Sequence, residues 1–185
     1  MIRGWKHFTA AGIAAFVLLG SMSGCSLKSA GGYYNDAMSY YEEKNYTLAA
    51  QNFELAIERN PERAEFYIDY GLMLIETGDY EEALATFDKA ILDKDIKMVL
   101  ENNKRAYRGR GIAYFYMLEY EMALEEFDKA LEIEELSSLD LDILSYKGSV
   151  CEKLGLFREA VSAYDEILRN VDGSADIYMA RAYAY

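Results

Sequence analysis

Residues 79–90 read DYEEALATFDKA, and residues 119–130 repeat that phrase as EYEMALEEFDKA. Two less similar copies flank this pair: NYTLAAQNFELA at 45–56 and LFREAVSAYDEI at 156–167. In every copy an aromatic residue follows four residues after the alanine at the fifth position, a spacing that puts both side chains on one face of a helix. Four copies of one pattern indicate a chain built from a repeated helical unit.

The distance between copies gives the length of the unit. It is 34 residues from Tyr46 to Tyr80, 40 from Tyr80 to Tyr120 and 37 from Tyr120 to Phe157, so six and three residues are inserted into the later units. A small residue stands nine positions before each of these rings: Ala37, Gly71, Gly111 and Gly148. We expect the small residues to let two helices approach closely, while the later ring of each phrase fills the space against the next unit.

This pattern resembles the tetratricopeptide repeat (TPR), a 34-residue unit of two antiparallel helices. The resemblance implies an all-α fold, a right-handed α-solenoid of about four and a half repeats. Composition agrees, because Pro61 is the only proline and 52% of the residues are hydrophobic. The repeats are predicted at about 30–63, 64–97, 104–137 and 141–174, with a partial repeat at 175–185. Helices are predicted at 33–43, 46–59, 63–77, 80–93, 103–117, 120–134, 141–154, 157–169 and 175–185. The insertion near 96–103 either extends a helix or forms a loop.

The N-terminus has the features of a bacterial lipoprotein signal peptide. Arg3 and Lys6 precede an apolar stretch at 8–20, which is too short to span a bilayer as a helix. The residues MSGC at 22–25 then resemble a lipobox, with methionine where leucine is usual. The resemblance implies that residues 1–24 are removed, that Cys25 carries a diacylglycerol group, and that residues 25–32 form a short tether. A cysteine beside an ordinary cleavage site is the alternative interpretation.

Charge and residue types argue against several functions. The chain has a formal net charge of −13, and without Arg3 and Lys6 it would be −15, so nucleic acid is not an expected partner. His7 is the only histidine and lies in the segment predicted to be removed, and Cys151 is the only cysteine besides Cys25. We therefore expect no catalytic residue, no metal site and no cofactor other than the acyl lipid on Cys25.

The first helix of each TPR lines a groove, and the helical phase predicts which side chains face it. Arg105 and Arg108 form a basic pair there, within an otherwise apolar and aromatic surface. The lysine and asparagine with which some relatives hold a terminal carboxylate are absent, because Tyr34, Met38 and Ile68 occupy the matching positions. We hypothesise that an apolar helix or extended segment of a partner binds there, with an acidic group near the arginines. The alternative is that much of this stripe packs against neighbouring helices or the N-terminal segment. The predicted groove residues are Tyr34, Met38, Tyr41, Ile68, Leu72, Ile75, Arg105, Arg108, Ile112, Phe115 and Tyr116.

These features predict a scaffold or adaptor that is lipid-anchored on the extracytoplasmic side of a bacterial cell membrane, inner or outer, and binds a protein or peptide partner. The alternative is a non-catalytic ligand- or substrate-recognition subunit beside an enzyme. The partial repeat at 175–185 ends with Met179, Tyr183 and Tyr185. Either the sequence stops within a fifth repeat, or this helix docks a partner or a second copy of the chain.

Overall fold

A computed structural model describes residues 28–170 and 175–184, and the regular structure in these ranges is helical, without a strand. The prediction of an all-α chain is therefore confirmed. Within the described ranges, nine α-helices and one 3₁₀ turn follow one another as α1 (Ala30–Glu42), α2 (Tyr46–Arg59), α3 (Ala64–Thr77), α4 (Tyr80–Asp88), α5 (Lys97–Tyr116), α6 (Tyr120–Leu131), the turn η1 (Ser137–Leu139), α7 (Asp140–Leu154), α8 (Phe157–Asn170) and α9 (Ala175–Tyr183).

The helices pair along the chain and the pairs stack in order. The hairpins are α1 with α2, α3 with α4, α5 with α6, and α7 with α8. Each second helix packs on the first helix of the next hairpin, and α3, α5 and α7 also contact one another in sequence. This nearest-neighbour stacking is the architecture of a solenoid.

The turn inside each hairpin places one residue in the left-handed backbone region. Lys44, Gly78, Leu118 and Gly155 have φ values of 58°, 87°, 65° and 72°, and each precedes the opening ring of its phrase by two positions. Helices commonly end in this way, and glycine adopts the conformation without steric cost. At two of the four turns the left-handed residue is not glycine, so the backbone of Lys44 and of Leu118 is strained.

The later ring of a phrase packs on the small residue of its own repeat, whereas the prediction placed it against the next unit. A Cβ atom added to Gly71 would lie 2.7 Å from the Phe87 ring, and one added to Gly111 or Gly148 would lie 2.5 Å from the ring of Phe127 or Tyr164. A Cβ atom added to Gly109, for which no packing role was predicted, would also meet the Phe87 ring, at 2.3 Å. The Phe87 ring thus lies between its own repeat and the next.

Helix ends differ from the prediction at the N-terminus. Helix α1 begins at Ala30, so residues 30–32 belong to it and not to the predicted tether. The Ser29 hydroxyl accepts a hydrogen bond from the Gly32 backbone N–H at 3.1 Å, and this N-cap starts the helix despite two glycines. The predicted signal peptide and Cys25 lie outside the described residues.

The six-residue insertion changes two helix ends. Helix α4 ends at Asp88 where 93 was predicted, and α5 begins at Lys97 where 103 was predicted. The Asn103 side chain accepts from the Leu92 N–H at 3.0 Å and donates to the Leu92 carbonyl at 2.7 Å, which holds the residues after α4 as a loop. Helix α6 likewise ends at Leu131 and not at 134. In the part of the chain that the structure describes, no helix has the length and apolar character needed to cross a bilayer.

Candidate partner-binding groove

The eleven predicted groove residues divide into two groups by burial. Ile68 and Ile112 are only 2% and 5% exposed and belong to the hydrophobic core, so they offer little exposed surface to a partner. Ile68 lies in a core cluster with residues of α1 to α4, and Ile112 lies in a second cluster with residues of α6 and α7. The other nine are half-buried or exposed, and we call them the groove face: Tyr34, Met38, Tyr41, Leu72, Ile75, Arg105, Arg108, Phe115 and Tyr116.

The tyrosines of α1 are tied to acids of α3. The Tyr34 ring stacks on Phe66 with centroids 4.9 Å apart, and its hydroxyl donates to Asp69 Oδ2 at 2.5 Å. The Tyr41 hydroxyl donates to Glu76 in the same way. Burial, followed by the bond to the carboxylate, raises the pKa of both hydroxyls above the ordinary value, so both remain donors at neutral pH. These two rings are fixed features of the surface.

The two predicted arginines differ in their contacts. Arg108 Nε pairs with Asp142 Oδ2 of α7 at 2.5 Å, so its charge already has a partner within the solenoid. Arg105 is exposed and forms no direct ion pair with the residues at 28–170 and 175–184. It lies close enough to Asp69 to oppose the rise that burial causes in the pKa of that carboxyl. Arg105 is therefore the cation of the groove face that can meet an acid from outside.

A cavity of about 260 Å³ opens between α3, α5 and the segment before α7. Its apolar lining combines Ile68 and Leu72 from the predicted set with Leu136 and Leu139, which the sequence did not point to. The sequence does show that three residues are inserted between α6 and α7. The length of an insertion does not reveal which surface of the solenoid it packs on, so Leu136 and Leu139 could not be predicted to line a cavity. The complete lining is Ile68, Asp69, Leu72, Arg105, Arg108, Leu136, Ser138 and Leu139.

Aromatic rings form the other end of the groove face. Phe115 meets the rings of Tyr120 and Tyr146 edge-on, with centroids 5.9 and 5.8 Å apart. Tyr116 is exposed and stacks on Tyr80 at 5.8 Å with an interplanar angle of 9°. Stacked and edge-on rings give a rigid surface that is apolar in its body and polar at the hydroxyls.

Reactive groups lie away from this surface. Cys151 is fully buried, and burial raises the pKa of its thiol, which disfavours the thiolate that a nucleophile requires. Among the residues described, no three His, Cys, Asp or Glu side chains are grouped so as to hold a metal ion. The geometry of the groove face is that of a binding surface made of fixed rings, aliphatic side chains and one exposed cation.

Stacked helix hairpins with glycine-packed rings define an α-helical repeat protein. The family model described as Tetratricopeptide repeat matches residues 34–98 and 108–175, and the chain belongs to this family. The predicted solenoid of TPR units is thereby confirmed. Tetratricopeptide repeat proteins mediate protein–protein interaction, and the extended face of the stacked repeats is the surface they use.

Two relatives and one solved structure illustrate the similarity. Tetratricopeptide repeat protein 13 of Homo sapiens is 29% identical over 145 residues, which are 78% of this chain and 16% of that protein. The Hsp70-Hsp90 organizing protein of Triticum aestivum is 27% identical over 177 residues, covering 78% of this chain and 30% of that protein. The chain thus spans less than a third of either relative. The structure of pilF from Pseudomonas aeruginosa superposes with a TM-score of 0.71 at 21% identity, over 83% of this chain and 66% of that one, and shows the same fold.

Proposed function

We propose that this chain is a non-catalytic adaptor that binds a segment of a partner protein on its groove face. The observation that carries the proposal is the nine-residue face itself. Tyr34 and Tyr41 are held by carboxylates, the aliphatic side chains Leu72 and Ile75 are half-buried rather than enclosed, and Arg105 is exposed. A surface with its side chains already fixed loses little conformational entropy when a partner binds.

Position-specific photocrosslinking in cells tests this proposal. A photoreactive phenylalanine analogue is placed at Leu72 or Tyr116 on the groove face and, as a control, at Glu121, which is exposed on α6. We expect mass spectrometry to find one crosslinked protein for the two groove positions and not for the control. Identical products from all three positions would contradict the proposal.

We further propose that the adaptor is anchored by lipid on Cys25 to the extracytoplasmic side of a bacterial cell membrane. The support is the basic start, the short apolar stretch and the MSGC phrase at 22–25. Cys25→Ser should move the chain from the membrane fraction to the soluble fraction. Equal membrane retention of both forms would count against lipidation.

A recognition subunit beside an enzyme is the alternative, and the cavity at Leu72 is the feature that would serve it. Its volume of about 260 Å³ lies below the roughly 300–1,000 Å³ of ordinary small-molecule sites. The cavity is therefore better suited to one side chain of a protein partner. Saturable binding of a small soluble ligand without any protein partner would favour the alternative.

Self-association through α9 is a separate proposal. Tyr178, Met179 and Tyr183 are exposed there, and Tyr183 is 83% exposed. Exposed apolar side chains grouped on one helix are a feature of interaction surfaces. Sedimentation at increasing concentration should show larger species, and Tyr183→Ser with Met179→Ser should remove them. A monomer at every concentration would contradict this role.

A further inference from the structure

Two neighbouring residues of α5 fix both insertions to the solenoid. Asn103 bonds both backbone groups of Leu92, which lies just before the first insertion. Lys104 is fully buried, and its ammonium donates to the Ile133 carbonyl at 2.7 Å and pairs with Asp140 Oδ1 at 2.5 Å. A buried ammonium persists only when such partners compensate for its lost hydration. The segment between Ile133 and Asp140 is therefore held at both of its ends.

This held segment forms one side of the cavity next to Leu72. Leu136 lies in the left-handed backbone region with φ 56° and ψ 44°, a conformation that a leucine keeps only when its surroundings enforce it. Leu136 and Leu139 line the cavity opposite Leu72. The cavity is thus a built feature of the groove face, with an aliphatic lining on two sides.

The charges at the cavity define what complements it. Asp69 accepts the bond from Tyr34, and Arg108 is paired with Asp142. Within the described residues, Arg105 is the one cation of the lining without a direct ion pair, in a chain of formal net charge −13. The net negative charge of the molecule disfavours an acidic group from outside, and at this cavity Arg105 attracts one.

We propose that this cavity recognises an acidic–aliphatic pair inside the partner segment. The aliphatic side chain, leucine, isoleucine or methionine, lies between Leu72, Leu136 and Leu139, and the neighbouring Asp or Glu carboxylate binds Arg105. The inference rests on the proposed function, because the cavity opens on the groove face. It adds the sequence feature that the partner must carry and fixes the register in which the segment lies.

Selection from a displayed library of random ten-residue peptides tests the proposal. The full chain in detergent is compared with Arg105→Glu, with Leu136→Asp, and with Lys153→Glu, which makes the same charge change at an exposed position of α7. We expect the unaltered chain and Lys153→Glu to enrich an acidic residue beside an aliphatic one. Arg105→Glu should keep the aliphatic preference and exchange the acid for Lys or Arg, and Leu136→Asp should lose the aliphatic preference. Circular dichroism of each variant confirms that the helices are retained.

The outcomes separate the two proposals. A selected peptide should bind Arg105→Glu about tenfold or more weakly, the scale of one lost charge-assisted hydrogen bond. Peptides that are enriched without the acidic–aliphatic pair, or an acidic preference that survives in Arg105→Glu, would overturn the inference and leave the groove as a binding site. Loss of binding on amidation of the peptide's C-terminus would also overturn it, because the acid would then be the terminal carboxylate. No enrichment above the starting library would overturn the proposed function together with the inference.

Discussion

Phe87 fills a space that two glycines leave open, and a single methyl group tests how tightly it is packed. A Cβ atom at Gly109 would lie 2.3 Å from Cζ of the ring. Replacing glycine by alanine in a helix otherwise gains about 0.5–1 kcal/mol, whereas overpacking a core costs about 1–3 kcal/mol. The steric term is the larger, so we expect Gly109→Ala to lower the free energy of unfolding.

Urea denaturation measures this change, and Gly31→Ala is the matched control. Gly31 is also helical, and its added Cβ would meet no atom within 4 Å. We therefore expect Gly31→Ala to be neutral or stabilising. Phe87→Leu should partly rescue Gly109→Ala, because it removes the ring that clashes. Equal effects of the two alanines would show that Phe87 can move aside.

Leu118 is a strained turn residue, and its replacement should stabilise the chain. Its φ of 65° is left-handed, and its side chain is 68% exposed. This conformation costs an L-residue about 1–2 kcal/mol. Glycine removes the cost, but its greater conformational freedom in the unfolded chain offsets part of the gain. We expect Leu118→Gly to raise the free energy of unfolding by about 0.5–1 kcal/mol. Gly78→Ala, at the equivalent turn, should lower it, and a destabilised Leu118→Gly would refute the strain argument.

Some residue roles were readable from the sequence and others were not. Gly71, Gly111 and Gly148 could be assigned because each recurs at one position of the repeat. Gly109 occurs in a single repeat, so no comparison within the chain reveals its contact with Phe87. Lys104 was missed for a different reason: a lysine is assumed exposed unless a partner for its charge is known, and that partner lies in an inserted segment.

At the scale of helices, one polar pair recurs between successive repeats. The residue just before the packing position of each first helix bonds an acid near the end of the previous second helix. The pairs are Arg110 with Asp88, Lys147 with Asp128 at 2.5 Å, and Arg181 with Asp165 at 2.6 Å. Tyr70 stands at the same position one repeat earlier, but its hydroxyl donates to Glu82 of its own hairpin at 3.4 Å. Because the three ion pairs join adjacent hairpins, they fix the register of these hairpins as well as their distance.

The Lys147–Asp128 pair can be measured by exchanging its charges. Lys147→Asp should lower the free energy of unfolding, and adding Asp128→Lys should restore most of the loss. Both side chains are partly exposed, so we expect a coupling energy of about 0.2–1 kcal/mol that decreases in high salt. The cycle is completed by Asp128→Lys alone and measured by urea denaturation.

The pair Lys97–Glu101 is the control for this cycle, because its atoms lie 3.9 Å apart within one helix and join no repeats. Exchanging the charges of Lys97 and Glu101 should leave the cooperativity of unfolding unchanged, because this pair connects no two repeats. If the exchanged Lys147–Asp128 pair fails to recover stability, the contact is incidental.

Helix ends near the insertions were the least predictable elements. The pattern fixed the starts of α2, α4, α6 and α8, since each begins at the opening ring of a phrase. The ends of α4 and α6 were predicted five and three residues too late, because helix-forming residues continue past the true ends at 88 and 131. Asn103 and Lys104 decide the path of the chain there through side-chain bonds to backbone carbonyls. Such bonds depend on the folded arrangement and leave no periodic signal.

For the whole molecule, periodicity determines the stacking, whereas the exposure of the groove face depends on how far apart the helices lie. Ile68 and Leu72 are one turn apart on α3, and both were predicted to face a partner. The structure buries Ile68 within a core cluster, whereas Leu72 packs against that cluster and remains half-exposed. The helical phase of a residue predicts which side of its helix it lies on. How deeply that side chain is buried in the solenoid follows only from the structure.

The tyrosines that join the repeats make the whole solenoid sensitive to alkali. Burial is the main cause that raises the pKa of Tyr34, Tyr41 and Tyr70 above 10, and it raises the pKa of Tyr164 to about 12. The folded chain therefore favours the neutral phenol. The stability that these groups contribute is fully present below pH 10, the unfolded value, and is lost at higher pH, for Tyr164 as pH rises through about 12. We expect the free energy of unfolding in urea to be lower at pH 11 than at pH 8.

Tyr164→Phe separates ionisation from other alkaline effects, because phenylalanine fills the space beside Gly148 and cannot ionise. The fall between pH 8 and pH 11 should be smaller in this variant than in the unaltered chain. Tyr183→Phe is the control, since that side chain is exposed in the folded chain and the fall should be unchanged. An unchanged fall in Tyr164→Phe would mean that the alkaline transition begins elsewhere, and the same pair of titrations on Tyr34→Phe and Tyr70→Phe would then show which repeat opens first.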